Sequence, residues 1–215
     1  MKLFLSSYRA GRHDKELLDF LGPIKKVAII TNAKDYKSQA ERKIRVKENF
    51  DYWRSIGLMP TEIDLRPYFK KAGAEKLVHG HEFVWLAGGN AFLLRRALSY
   101  TGLDRFLIEK VRAGQIIYGG ESAGAIMAGP TLHGSEDDSS NEDNPHFVPS
   151  PYEKRVLWDS LNFTDFVPVP HYKSAEIGDS IDGYVEYLRK RKIAYKTMTD
   201  DQAIVINVNK EEFLG

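Results

Sequence analysis

The chain has 215 residues, 31 Lys and Arg against 30 Asp and Glu for a formal net charge of +1, and no cysteine. A near-neutral balance supplies no global field toward nucleic acid, an anionic membrane or a polyanionic substrate, so a small partner is expected. The missing cysteine removes disulfides, thiolate metal sites and a Cys nucleophile.

The length suits one domain, expected over residues 1–215. The N-terminal MKLFLSSYRAGRHD holds too short an apolar run for a secretion signal. No stretch approaches the ~20 apolar residues of a membrane span, and a cytoplasmic protein is expected.

In chain order, apolar runs and helical spacing predict a strand at 2–6, a helix at 14–21 and a strand at 26–31. A long helix at 38–56 follows, with Ala40, Ile44, Val46, Phe50, Trp53 and Ile56 toward one face. Strands at 61–65 and 83–86 come next, then helices at 90–99 and 104–112, with Asn90 and Asp104 placed as N-caps. A strand at 115–118 runs into a helix at 123–128. Beyond the loop that follows, strands are predicted at 166–169, 192–197 and 203–208, with a helix at 179–190. VAII, FVWLA and IIY are continuous apolar runs, as central parallel strands buried on both faces require. The fold class is therefore α/β, a mostly parallel sheet flanked by helices on both faces.

Residues 132–151 differ in kind: HGSEDDSSNEDNPHFVPSP carries five acidic residues and no hydrophobic period. A structureless loop of this length is usually functional or disordered, and this one lies shortly after Ser122.

Gly120-Glu121-Ser122-Ala123-Gly124 fits G-x-S-x-G in a strand-to-helix context, which a nucleophile elbow demands. Flanking glycines permit a sharp turn that lifts the serine hydroxyl off the sheet's carboxyl edge, and the Ala123 N–H can serve as an oxyanion donor. Tight strand-to-helix packing would use the same small residues. FVWLAGGN is a second strand that stops at a glycine pair, so the N–H groups of Gly88 and Gly89 come to the same edge, though an ordinary turn also explains them. A serine needs a base and an orienting acid. Of six histidines, His171 is the best placed, because FVPVPHY delivers it from a strand end. TMTDDQAIVIN puts Asp200 and Asp201 in a turn between two strands, where Asp is also simply a favoured turn residue.

LAGGN (86–90), GESAGA (120–125), VPHY (169–172) and TDDQAIV (199–205), in that order, resemble the peptidase E family of serine peptidases, which includes aspartyl dipeptidases and, more distantly, cyanophycinases. The resemblance implies a fold related to class I glutamine amidotransferases, with serine where those enzymes usually carry cysteine. It implies a Ser, His, acid order: Ser122 as nucleophile, His171 as general base and Asp200 as third member, with Asp201 as the adjacent fallback. Gly88 or Gly89, with Ala123, resembles the oxyanion hole. Asp137 falls at an acidic position important in aspartyl dipeptidases, and a carboxylate there could bind the α-ammonium of a peptide; Glu136 and Asp138 are its neighbours. The Arg that aspartyl dipeptidases carry after the histidine is not evident, with Ile181 near its place, and Lys173 is a possible point-charge substitute. Glu121, beside the nucleophile, is either a substrate contact or a solvent-facing side chain.

The leading expectation is a serine peptidase acting on short peptides as a dipeptidase or aminopeptidase-like exopeptidase. Two alternatives stand beside it: a Ser-dependent esterase whose acid is Asp159 or Asp165, and an inactive peptide-binding protein on the same scaffold. No metal cluster and no phosphate-binding glycine loop is evident, so no cofactor is expected. The expected partner is a small peptide, with neither nucleic acid nor membrane, and self-association as a homodimer stays open.

Overall fold

The computed structural model describes residues 1–137, 139–175, 178–208 and 210–215. In chain order the elements are β1 (Lys2–Ser6), α1 (Asp14–Leu21), β2 (Lys26–Ile30), α2 (Gln39–Ser55), β3 (Met59–Ile63), β4 (Phe83–Leu86), α3 (Ala91–Thr101) and α4 (Leu103–Arg112). They continue with β5 (Ile117–Glu121), α5 (Ala123–Ile126), β6 (Val167–Val169), α6 (Gly178–Arg191), β7 (Tyr195–Thr197), β8 (Ala203–Asn207) and β9 (Lys210–Leu214). A seven-stranded sheet runs β3-β2-β4-β5-β1-β8-β9. The first five are parallel, while β8 pairs antiparallel with β1 and β9 antiparallel with β8.

Side chains alternate across each strand, and the core divides accordingly. Leu3, Leu5, Ile30, Val84, Leu86 and Tyr118 pack on the face that carries α3, α4, α5 and α6. Phe4, Val27, Ile29, Phe83 and Trp85 pack on the other face with Leu17 and Leu21 of α1 and Trp53 of α2. The sheet is thus covered on both sides, as its continuous apolar strands require. No described helix is long and apolar enough to cross a membrane.

Four local outcomes depart from sequence expectation. The strand expected at 115–118 runs instead over Ile117–Glu121, because Gly119 and Gly120 belong to the ladder. A β-carbon on Gly119 would come within 2.3 Å of the Trp85 ring, so the glycine makes room for an aromatic. β9 (KEEFL) has no counterpart among the strands expected from sequence, and its charges suit an edge. The apolar face assigned to α2 is only partly right: Val46 and Trp53 are buried, Ile44 is 58% exposed, and Arg42 is buried instead. Arg42 Nε donates to Asp35 Oδ1 at 2.8 Å and Nη2 to Thr31 Oγ1 at 2.7 Å, so a paired guanidinium occupies a core position. Asp104 is not an N-cap; it lies inside α4 and pairs with Arg95 at 2.9 Å, whereas Asn90 does cap α3 by accepting the Leu93 N–H. β6 and β7 form a separate two-stranded parallel sheet, with Val167 opposite Tyr195 and Val169 opposite Thr197.

Candidate active site

The parallel strands all deliver their carboxyl ends to one edge, and the site is assembled there. β5 ends at Glu121, and Ser122 takes φ 50° and ψ −115° before the single turn of α5 begins. That left-handed conformation is disfavoured for a residue with a β-carbon, so its surroundings must hold it. The Ser122 N–H donates to Ser6 O at 3.1 Å. Gly120 and Gly124 allow the turn to close: a β-carbon on Gly120 would lie 2.4 Å from Gly124 C, and one on Gly124 would lie 2.0 Å from Leu86 O.

His171 follows β6, also at positive φ (59°), and its Nε2 lies 3.0 Å from Ser122 Oγ. Its Nδ1 lies 2.6 Å from Asp200 Oδ1, in the turn between β7 and β8. Three segments distant in sequence thus bring a hydroxyl, an imidazole and a carboxylate into one hydrogen-bonded line. Asp201 turns away and pairs with Arg12 at 2.7 Å. Ser7, which the sequence reading passed over, touches both partners of the imidazole–carboxylate pair. Its hydroxyl donates to Asp200 Oδ1 at 2.7 Å and accepts the His171 backbone N–H at 2.8 Å.

The glycine pair after β4 lies against the elbow. A β-carbon on Gly88 would sit 3.0 Å from Ser122 Cβ, and Gly89 has φ 134° with Ala33 O only 2.3 Å from where a β-carbon would be. Lys34 Nζ donates to Gly88 O at 3.0 Å, and the Gly88 N–H is directed at Glu121 Oε1 at 3.5 Å. In a planar trans peptide the C=O and N–H point in opposite directions, so fixing Gly88 O toward Lys34 turns the Gly89 N–H away from it. Burial lowers the Lys34 pKa, partly offset by attraction to Glu121 and Glu142.

Glu121 is not the solvent-facing side chain that was one of its two readings, and it lies among the residues that line the cleft over Ser122. It is buried at 5% exposure and its carboxylate accepts the Arg9 N–H at 2.7 Å and Asn49 Nδ2 at 3.0 Å, so both oxygens are held by the protein. Lys173 also departs from expectation: it is exposed, its ammonium lies 5.5 Å over the Tyr172 ring, and it does not line the cleft.

An open cleft of about 1400 Å³ runs over Ser122 and His171. The acidic loop forms one wall, held to α3 by Asn90 Nδ2, which donates to Asn141 O at 2.9 Å, and by Arg96 Nη2, which donates to Pro145 O at 2.7 Å. Asp137 lines this wall, and hydrogen bonds from Ser139 hold its carboxyl below the usual carboxylate range. Asp143 behaves oppositely, pushed up to about 7 by burial and then by the neighbouring Glu142 and Asp137. Glu136 and Ile181 also line the cleft, whereas Asp138 lies outside the described residues. Among the described lining residues Lys34 is the one Lys or Arg, and it is already bonded to Gly88 O.

Comparison with known proteins gives this geometry its context. An uncharacterized peptidase of Listeria innocua serovar 6a is 31% identical over 125 residues, 55% of this chain and 52% of that protein, so the match spans about half of the relative's length. An uncharacterized peptidase of Pasteurella multocida strain Pm70 is 29% identical over 210 residues, covering 96% of this chain and 93% of that one. The crystal structure of a candidate peptidase E protein from Listeria monocytogenes EGD-e superposes with a TM-score of 0.75 over 99% of this chain and 97% of that one. At 23% identity that likeness speaks to the fold alone. The model of peptidase family S51 matches residues 4–213, and the chain belongs to that family.

Proposed function

We propose that the protein is a serine peptidase that removes residues from short peptides with a free amino terminus. The observation that carries this reading is the Ser122–His171–Asp200 line, with contacts of 3.0 and 2.6 Å. His171 Nε2 takes the proton of Ser122 as its oxygen attacks the scissile carbonyl, and Asp200 holds the imidazole in the tautomer that can accept it. The N–H groups of Gly89 and Ala123 stabilise the oxyanion. The protonated imidazole then gives its proton to the leaving amine, and water, activated by the same base, releases the acyl-enzyme.

Asp137, ionised and on the cleft wall, receives the α-ammonium, which makes the enzyme exopeptidic. Selectivity for an acidic first residue is not expected, since Ile181 offers no charge and Lys34 is engaged elsewhere. The esterase reading would need a different acid. Asp159 is paired with Arg95 at 2.7 Å and Asp165 is exposed, and neither competes with Asp200 for His171.

A panel of dipeptides and tripeptides varied at the first residue, each free and N-acetylated, tests the proposal. Free peptides are hydrolysed at least about 10-fold faster than acetylated ones, the ratio expected from one lost charged contact. Asp137→Asn narrows that gap. Equal rates for free and blocked peptides would remove the exopeptidase assignment.

A further inference from the structure

We propose that Ser7 is a positioning residue for the His171–Asp200 pair, so that the working unit is four side chains rather than three. The inference rests on the reading that Ser122, His171 and Asp200 perform the chemistry. It begins from topology. β1 lies between β5 and β8, so its carboxyl end is flanked by the elbow on one side and the Asp200 turn on the other. Ser6 O accepts the Ser122 N–H at 3.1 Å, and the Ser7 N–H reaches Gln202 O at 3.4 Å. The last residue of the β1 ladder and the one after it thus bind both segments that flank them, and the Ser7 side chain adds further contacts.

A hydroxyl carries one donor and two acceptor lone pairs. Ser7 spends its donor on Asp200 Oδ1 at 2.7 Å and one lone pair on the His171 backbone N–H at 2.8 Å. Its oxygen also lies 3.3 Å from His171 Nδ1, beside the 2.6 Å contact between that nitrogen and the same Asp200 oxygen. Ser7 is fully buried, whereas the Asp200 side chain is 44% exposed. Without the Ser7 donor, a half-exposed carboxylate is free to rotate toward water. His171 holds a left-handed backbone at φ 59°, and the bond from its N–H to Ser7 is one of the contacts that keep it there. A serine that merely ended a strand would need none of these contacts. Here one hydroxyl fixes the carboxylate rotamer and the imidazole's backbone together, and neither contact touches the substrate.

The test compares wild type with Ser7→Ala, Ser7→Thr and Ser122→Ala, by steady-state kinetics and by the proton NMR signal of the His171 Nδ1–H. In Ser7→Ala, kcat falls about 10- to 100-fold with KM within twofold, the loss expected when a hydrogen bond to a charged group is deleted. The low-field Nδ1–H signal moves or broadens away. Ser7→Thr, which keeps the hydroxyl, retains both, and Ser122→Ala loses activity but keeps the signal. An unchanged Nδ1–H signal in folded Ser7→Ala would overturn the assignment, whatever happened to the rate. The signal is read in the resting protein, so it judges Ser7 even if Ser122→Ala keeps full activity, a result that would sink the peptidase reading instead.

Discussion

Replacing Lys34 with methionine keeps the length of the side chain and removes the donor that fixes Gly88 O at 3.0 Å. The effect on chemistry follows from the peptide plane. Gly88 O and the Gly89 N–H belong to one rigid unit, so releasing the oxygen releases the donor proposed to hold the oxyanion. A hydrogen bond from a charged group contributes about 1.5–3 kcal/mol, which translates to about 10- to 100-fold in kcat if the unit then spends most of its time turned away. The ceiling is the loss of an oxyanion donor altogether, about 10²- to 10³-fold. KM changes little, because the oxyanion forms only in the transition state. The substitution also leaves the buried Glu121 without its cationic neighbour, so stability falls too. Measuring kcat well below the variant's own melting temperature, where the protein is fully folded, separates the two effects. The assay is kcat and KM on the best peptide of the panel, with the melting temperature measured in parallel. A single variant that keeps kcat within twofold of wild type would refute the account of how the oxyanion donor is aimed.

The remaining predictions concern the acidic wall and the elbow. Asp143 is raised to about 7 in the folded protein, above its ordinary value near 3.8. A carboxyl raised by folding binds its proton more tightly in the native state, so the protein loses stability as pH rises through the interval from about 4 to 7. Asp143→Asn, neutral at every pH, therefore raises the melting temperature at pH 8 by the equivalent of a few kcal/mol at most and changes it little at pH 4. A gap independent of pH, read by calorimetry, would contradict the burial argument. Gly124→Ala places a β-carbon about 2.0 Å from Leu86 O, a backbone atom that cannot move aside alone. Overpacking of this kind costs roughly 1–3 kcal/mol or more, so urea unfolding shows a lowered midpoint despite alanine's better helix propensity. An unchanged midpoint would mean that α5 does not pack on β4 as described.

Much of the framework was legible because its signals are local. β1, α1 and β4 fall where periodicity put them, and the elbow, the glycine pair and VPHY each announce a turn at a strand end. The residues that were missed act through non-local neighbours. Ser7 reads as a polar residue closing a strand, and its contacts exist because β1 inserts between β5 and β8. Lys34 reads as one more cation in TNAKDYKSQ, and only folding buries it beside Glu121 and Gly88. Glu121 could not be assigned from sequence, because its partners Arg9 and Asn49 lie far from it and from each other along the chain. Arg42 violated the helix pattern because an ion pair with Asp35 replaced apolar packing. The strand expected at 115–118 stopped short of Gly119, whose missing side chain is what admits Trp85.

The most direct test of the central claim is labelling by a serine-directed fluorophosphonate, read as intact mass and by peptide mapping. Wild type gains one adduct on Ser122, Ser122→Ala gains none, and His171→Ala reacts at least about 100-fold more slowly for want of its base. Equal labelling of wild type and Ser122→Ala would contradict the assignment of Ser122 as the nucleophile.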